Sequence, residues 1–70
     1  MSKLPAVHKK IEIVGTSKKS FSDATRNAVA RAAKSVRRME WFEVTELRGR
    51  IDGAGIDEYQ VTLKIGFKLE

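Results

Sequence analysis

Seventy residues, of which 41% are hydrophobic and 33% charged, suffice for one small core and are too few for two. Lys and Arg outnumber Asp and Glu by 14 to 9, and the absence of Cys excludes disulfides, thiolate nucleophiles and Cys-based metal sites. We identify no apolar signal segment and no run long enough to cross a bilayer, so we expect a cytoplasmic protein. We predict a single domain over residues 1–70, with residues 1–6 as a short leader.

The first predicted strand runs from Val7 to Val14, where β-branched residues predominate and Ile11 and Ile13 share one face. Gly15 begins a Gly-Thr-Ser segment that we expect to end this strand, because glycine adopts a positive φ at little cost.

A helix is predicted next, capped by Ser20, with Ser17 as the alternative cap. Apolar residues recur at spacings of three and four, which is typical of a helix that buries one face: Phe21, Ala24, Ala28, Ala32, Val36 and Met39. Since most of them are alanine, we expect the helix to approach a sheet closely.

Two further strands are predicted, from Trp41 to Ile51 and from Glu58 to Leu69. The glycine-containing segment from Asp52 to Asp57 between them predicts an antiparallel hairpin. The last strand alternates most regularly, with one face formed by Tyr59, Val61, Leu63, Ile65, Phe67 and Leu69. The sequence therefore predicts an α+β fold in the order β-α-β-β.

The second strand carries apolar residues on both faces. Phe42 and Val44 point one way in a regular strand, whereas Trp41, Leu47 and Ile51 point the other, unless a bulge reassigns some of them. One helix covers only one face of a three-stranded sheet, so we expect an uncovered apolar surface. Such surfaces mark interaction sites, and small chains often depend on self-association. We therefore predict a homo-oligomer.

Catalytic motifs are absent from the sequence. His8 is the single histidine, and we expect it to be a solvated or interface residue rather than a base. Asp52, Asp57 and Glu58 near the hairpin turn would bind a hard cation only weakly, and no phosphate-binding loop, dinucleotide motif or metal motif is present. We predict neither an enzyme nor a metal site.

The net charge of +5 leaves two interpretations open. The basic residues either form a solvated helix face or attract phosphate, from nucleic acid or from a phosphorylated small ligand. An RNA-binding sheet would carry aromatics on its open face, but Tyr59 and Phe67 fall on the core side. Trp41 and Gln60 are predicted to face away from the helix, where an indole and a carboxamide suit a flat heteroaromatic ligand.

Five segments together resemble the dodecin family, in order and at matching spacing, over about Val7 to Glu70. They are Val-Gly-Thr-Ser at 14–17, Glu-Trp-Phe-Glu-Val at 40–44, Leu-Arg-Gly at 47–49, Glu-Tyr-Gln-Val at 58–61 and Gly-Phe-Lys-Leu-Glu at 66–70. The resemblance implies a hollow homododecamer whose sheet wraps around its helix. It also implies flavins bound in pairs at subunit interfaces, each stacked on a tryptophan.

The resemblance assigns roles to particular residues. Trp41 matches the stacking tryptophan, Gln60 the glutamine that hydrogen-bonds the pyrimidine edge of the flavin, and Arg48 an arginine suited to the phosphate of FMN. Because the chain is basic, FMN is favoured over riboflavin, while riboflavin and FAD remain open.

Some bacterial dodecins resemble a coenzyme A carrier. At positions that fit its phosphate contacts stand Lys9, Arg31 and Lys68, although many relatives have arginine at the last position. The sequence thus predicts a flavin storage and sequestration protein that quenches FMN stacked on Trp41, with coenzyme A as a further ligand. The alternative is a small basic nucleic-acid-binding module.

Overall fold

A computed structural model describes residues 4–69, so residues 1–3 of the predicted leader and Glu70 lie outside the described residues. The elements in chain order are β1 (His8–Ser17), α1 (Phe21–Ala32), β2 (Met39–Asp52) and β3 (Gly55–Lys68). The strands form one antiparallel sheet in the spatial order β1-β3-β2. The predicted β-α-β-β fold is confirmed, and its most regularly alternating strand is the central one.

The core lies between α1 and the β1–β3 part of the sheet. Three helix alanines, Ala24, Ala28 and Ala32, are buried against Val61, Leu63 and Ile65 of β3. The small side chains bring helix and sheet close together, as the alanine stripe predicts.

Gly15 shows how close this approach is, because a Cβ at this position would lie 2.2 Å from the carbonyl oxygen of Ala24. The prediction that β1 ends before Gly15 is wrong. Gly15 pairs with Val61 inside the strand, which continues to Ser17. The glycine is therefore needed for helix packing rather than for a turn.

The helix begins as predicted at the Ser20 cap. The Ser20 hydroxyl accepts a hydrogen bond from the backbone N–H of Asp23 at 3.0 Å. Ser17, the alternative cap, donates its hydroxyl proton to the Asp23 carboxylate at 2.7 Å. Both serines thus stabilise the first turn, and Ser20 is the cap.

The helix ends at Ala32, so the prediction that it continues toward Met39 is wrong. The backbone N–H groups of Ser35 and Val36 both bond to the carbonyl of Ala32, which closes the last turn. The chain then reverses through Arg38, whose φ is +61°. Met39 packs against the core from β2. It therefore fits the apolar spacing of the helix although it lies outside the helix.

The hairpin turn is shorter than predicted. Asp52 pairs with Gly55, which leaves a two-residue loop of Gly53 and Ala54, and β3 begins at Gly55 rather than Glu58. Gly53 has a φ of +62°. The first position of a two-residue hairpin loop needs a positive φ, which glycine adopts easily because it has no side chain.

The helix-facing side of β2 is apolar and uncovered. A register shift between Val44 and Glu46 places Leu47 opposite Val61, on the same side as Phe42 and Val44. The expectation that Leu47 points with Trp41 is therefore wrong, and the bulge is the reason. Phe42, Val44 and Leu47 are 51%, 44% and 58% exposed, because α1 packs on β1 and β3 instead.

The single subunit is extended rather than spherical. Its radius of gyration is 15.0 Å, against about 11 Å for a compact domain of this length. Its accessible surface is 5433 Å², against about 4,400 Å² for a folded monomer of this mass. Within residues 4–69, no helix is long and apolar enough to cross a membrane.

Candidate ligand site on the outer sheet face

The sheet face turned away from α1, here called the outer face, carries the side chains that alternate with the buried residues of β3. Gln60, Thr62, Lys64 and Gly66 alternate with the buried Val61, Leu63 and Ile65, so they belong to the outer face. Trp41 pairs with Gly66 and therefore lies on this face too. Tyr59 packs edge-on against Phe21 of α1 at 5.0 Å, on the opposite side.

Gly66 provides the floor for the indole of Trp41. A Cβ at Gly66 would lie 2.2 Å from two ring carbons of Trp41, so the indole rests directly on the strand backbone. Glycine in a central strand often marks such a close approach. The indole remains 40% exposed, which leaves it accessible to a planar ligand. Sequence reasoning missed Gly66, although it is the one position of the outer alternation in β3 without a side chain.

Two side-chain bridges cross β3 beside this indole and connect the edge strands β1 and β2. His8 Nε2 lies 2.7 Å from Glu40 Oε1, and Lys10 Nζ donates to Glu43 Oε1 at 2.5 Å. Trp41 comes between the two glutamates in the chain. The hydrogen bond from Lys10 and the charge of Lys10 hold the pKa of Glu43 below its ordinary value.

His8 also contacts the indole directly. The two ring centroids are 5.2 Å apart and the rings are tilted by 57°. The imidazole therefore borders the ring of Trp41 while it bonds Glu40. The sequence assigned no role to His8, because a lone histidine on a strand carries no motif.

Gln60 and Arg48 form a second polar group farther along the outer face. They are direct cross-strand partners, and Gln60 Nε2 donates to Glu58 Oε1 at 2.9 Å. The Arg48 guanidinium is exposed and lies 3.9 Å from the Glu46 carboxylate. The structure thus brings together two of the three predicted flavin contacts.

Trp41 is not close to that pair within one subunit. Its partner Gly66 lies six residues from Gln60 along β3, a distance of about 20 Å at the rise of a β-strand. A three-ring heterocycle is shorter than this. This separation favours a site in which Trp41 and Gln60 come from different subunits.

The carboxylates near the hairpin are engaged by basic side chains. Arg50 Nε and Nη2 both donate to the Asp57 carboxylate, at 2.8 and 2.5 Å, and Lys18 Nζ donates at 3.3 Å. The bonds from Arg50, and then Lys18, lower the pKa of Asp57. In the described part of the chain, no group of three or more His, Asp or Glu could hold a metal ion.

The three residues predicted to contact coenzyme A do not converge within one subunit. Lys68 pairs with His8, whereas Lys9 pairs with Phe67, so alternation puts the two lysines on opposite faces of the sheet. Arg31 lies in the last turn of α1 and lines a space of about 230 Å³ with Ile11 and Ile13. Coenzyme A binding stays a prediction.

Comparison with known proteins agrees with the fold. A family model described as Dodecin matches residues 7–70. The dodecin of Thermus thermophilus is 53% identical over 64 residues, covering 91% of this chain and 93% of that protein. The solved dodecin of Streptomyces coelicolor superimposes with a TM-score of 0.91 at 44% identity, covering 100% of this chain and 97% of its own.

A third relative, the calcium dodecin of Mycobacterium tuberculosis, is 38% identical over 64 residues, covering 91% of this chain and 90% of that protein. The fold and the matches define a small binding protein of a class whose members form oligomers. The chain belongs to the dodecin family, and the predicted resemblance is confirmed.

Proposed function

We propose that this dodecin stores and sequesters flavin, with FMN as the preferred ligand, and that it has no catalytic turnover. The observation that supports this most directly is the position of Trp41, whose indole lies on Gly66 while the residue remains 40% exposed. An aromatic ring held in this way offers a stacking platform, which contributes about 1–3 kcal/mol per stacked base in comparable sites.

Each residue of the outer face would supply one kind of contact. Trp41 would provide the stacking surface, and electron transfer from its indole to a bound flavin would quench the flavin's fluorescence. Gln60 offers a carboxamide that both donates and accepts at a ring edge. Arg48 offers an exposed guanidinium to a phosphate, as its weak 3.9 Å contact with Glu46 allows.

The separation of Trp41 from Gln60 makes self-association part of this proposal. In this proposal two subunits contribute to one site, and the uncovered Phe42, Val44 and Leu47 provide an apolar surface for their contact. We propose a homododecamer, in agreement with the oligomers of the family. Light scattering should give a mass near twelve times 7.9 kDa, and a monomer at micromolar concentration would contradict the proposal.

The primary test is flavin titration of the wild type and of Trp41→Ala, with Trp41→Phe as the matched control that keeps a smaller ring. Loss of the indole should weaken FMN binding by at least about tenfold and abolish quenching of flavin fluorescence. The phenylalanine variant should lie between the two. Unchanged affinity in Trp41→Ala would refute the stacking role. A protein that ignores FMN but binds RNA or DNA with strong salt dependence would support the nucleic-acid alternative.

A second test separates phosphate recognition from ring recognition. Arg48→Ala should weaken FMN binding about fivefold while riboflavin, which lacks the phosphate, binds as before. Arg50→Ala is the matched control, because Arg50 lies on the same strand and is already bonded to Asp57. Equal losses for both ligands would remove the phosphate assignment from Arg48.

A further inference from the structure

His8 occupies a position that no part of the proposed flavin site explains. Its imidazole borders the indole of Trp41 at 5.2 Å and bonds Glu40 at 2.7 Å, although β1 and β2 are separated by β3. The bridge crosses the central strand on the outer face, where Lys68 is the cross-strand partner of His8 and the Trp41 indole lies over the neighbouring Gly66. The imidazole thus packs beside the indole and restricts its orientation.

The protonation of His8 changes both of its contacts. A neutral imidazole that carries its proton on Nε2 donates a hydrogen bond to the Glu40 carboxylate, and an imidazolium adds the attraction of opposite charges to that bond. The same cation beside the indole adds an attraction to the ring's π-electrons. Protonation therefore strengthens both contacts of the imidazole, the bond to Glu40 and the contact with the Trp41 indole.

The charged groups around His8 have opposing effects on an imidazolium at that position. Lys10 on the same strand is neutralised by Glu43, so its repulsion of an imidazolium is reduced. Lys68 is the cross-strand partner of His8 and opposes its charge, as does Lys64 farther along β3. Glu40 from β2 makes the direct contact, at 2.7 Å.

We propose that His8 is a positioning residue for Trp41, and that its protonation orders the indole and tightens flavin binding as the pH falls. This inference rests on the proposed flavin function. The physical basis is pre-organisation, since a ring already held in its binding orientation loses less freedom when a ligand stacks on it.

The first experiment measures the indole without any flavin. Trp41 is the only tryptophan, so the fluorescence of the assembled, ligand-free protein reports on this ring alone. Between about pH 8 and pH 5.5, where histidine changes its charge, the wild type should show one step of falling emission, because an imidazolium quenches an adjacent indole. His8→Gln keeps a donor for Glu40 but does not titrate, and should show no step. A step of equal size in His8→Gln would overturn the proposal.

A matched control removes the other bridge. Lys10→Gln breaks the charged contact with Glu43 and leaves His8 in place, so the fluorescence step should remain. If the step disappears in Lys10→Gln and persists in His8→Gln, the lysine bridge and not the histidine controls the ring, and the proposal is wrong.

The second experiment measures riboflavin affinity at the same two pH values. Riboflavin is used because the phosphate of FMN itself titrates near pH 6. The wild type should bind about threefold to fivefold more tightly at the lower pH, and His8→Gln should change by less than about twofold. A wild type that binds riboflavin equally at both values would overturn the inference while leaving the proposed function intact. Failure to bind flavin at either value would overturn both, and the fluorescence step would then show only that His8 contacts Trp41.

Discussion

Gly15 and Gly66 lie inside strands of the same sheet, and at both positions a side chain would collide with a group packed on top. At Gly15 the colliding atom is the backbone oxygen of Ala24 in the helix, on the core side. At Gly66 the colliding atoms belong to the Trp41 indole on the outer face. The same residue type thus allows a helix to dock on one face and an aromatic platform to form on the other.

The difference between the two positions lies in what can move. The helix backbone at Ala24 is buried and held by the core, so it cannot yield without loss of packing. At Gly66 the colliding group is the end of a side chain. Trp41 is 40% exposed, so its indole can rotate away from a new methyl group. We therefore expect substitutions at Gly15 to affect mainly folding and substitutions at Gly66 to affect mainly ligand binding.

The largest expected effect is that of Gly15→Ala. A Cβ 2.2 Å from a backbone oxygen forces the helix away from β1, and we expect a loss of about 3 kcal/mol in the free energy of unfolding. Urea unfolding followed by circular dichroism measures it. Gly55→Ala is the control, because its nearest neighbour would be 3.8 Å away, and it should be nearly neutral. Similar losses in both variants would contradict the close-packing explanation.

Gly66→Ala should affect ligand binding strongly and stability only slightly, in contrast to Gly15→Ala. The new methyl group displaces the indole, so we expect FMN binding to weaken by at least about tenfold, while the free energy of unfolding falls by about 1 kcal/mol or less. Titration with FMN and urea unfolding of the same preparation give both values. A loss of stability as large as that of Gly15→Ala, with binding intact, would erase the distinction between the two glycines.

The smallest expected effect is the loss of stability at acidic pH when two ion-paired carboxylates become protonated. The pKa of Glu43 is lowered by its bond to Lys10, and that of Asp57 by its bond to Arg50. These pairs therefore stabilise the fold above the ordinary carboxylate range near pH 4, and the contribution is lost as the pH falls through the lowered values.

Thermal unfolding between pH 7 and pH 3 tests this dependence. Glu43→Gln and Asp57→Asn should each have a slightly lower Tm at pH 7 and converge with the wild type in acid, since both sites are solvent-exposed. Only Glu43→Gln should also reduce flavin affinity, because the Lys10–Glu43 pair lies beside Trp41, whereas Asp57 bonds Arg50 and Lys18, which have no role in the proposed site. An equal effect of both variants on binding would show that the Lys10 bridge does not support the outer-face site.

Much of this arrangement could be predicted from local patterns. Alternation in β3 identified the buried Val61, Leu63 and Ile65, and the alanine spacing identified the face of the helix that covers them. The resemblance of five short segments to dodecins identified the family, which the comparisons confirm.

The remaining features depend on contacts that periodicity does not encode. The helix ends at Ala32 without a glycine or proline, and the chain reverses at Arg38, which has a side chain. The bulge after Val44 moves Leu47 to the other face of β2. His8 on β1 bonds Glu40 on β2 across the central strand, a contact between residues 32 positions apart in the sequence.

The position of β3 has a consequence for how the protein is made. β3 is the last of the three strands along the chain, yet both other strands pair only with it, as His8 with Lys68 and Trp41 with Gly66 show. While a ribosome is still producing β3, β1 and β2 have no hydrogen-bonding partner in the nascent subunit. β2 can pair with β3 locally through the hairpin, whereas β1 must wait for long-range pairing, which is slow, and unpaired strands can join neighbouring chains. Sheet formation and assembly are therefore expected to follow translation of β3 rather than accompany the synthesis of the earlier strands.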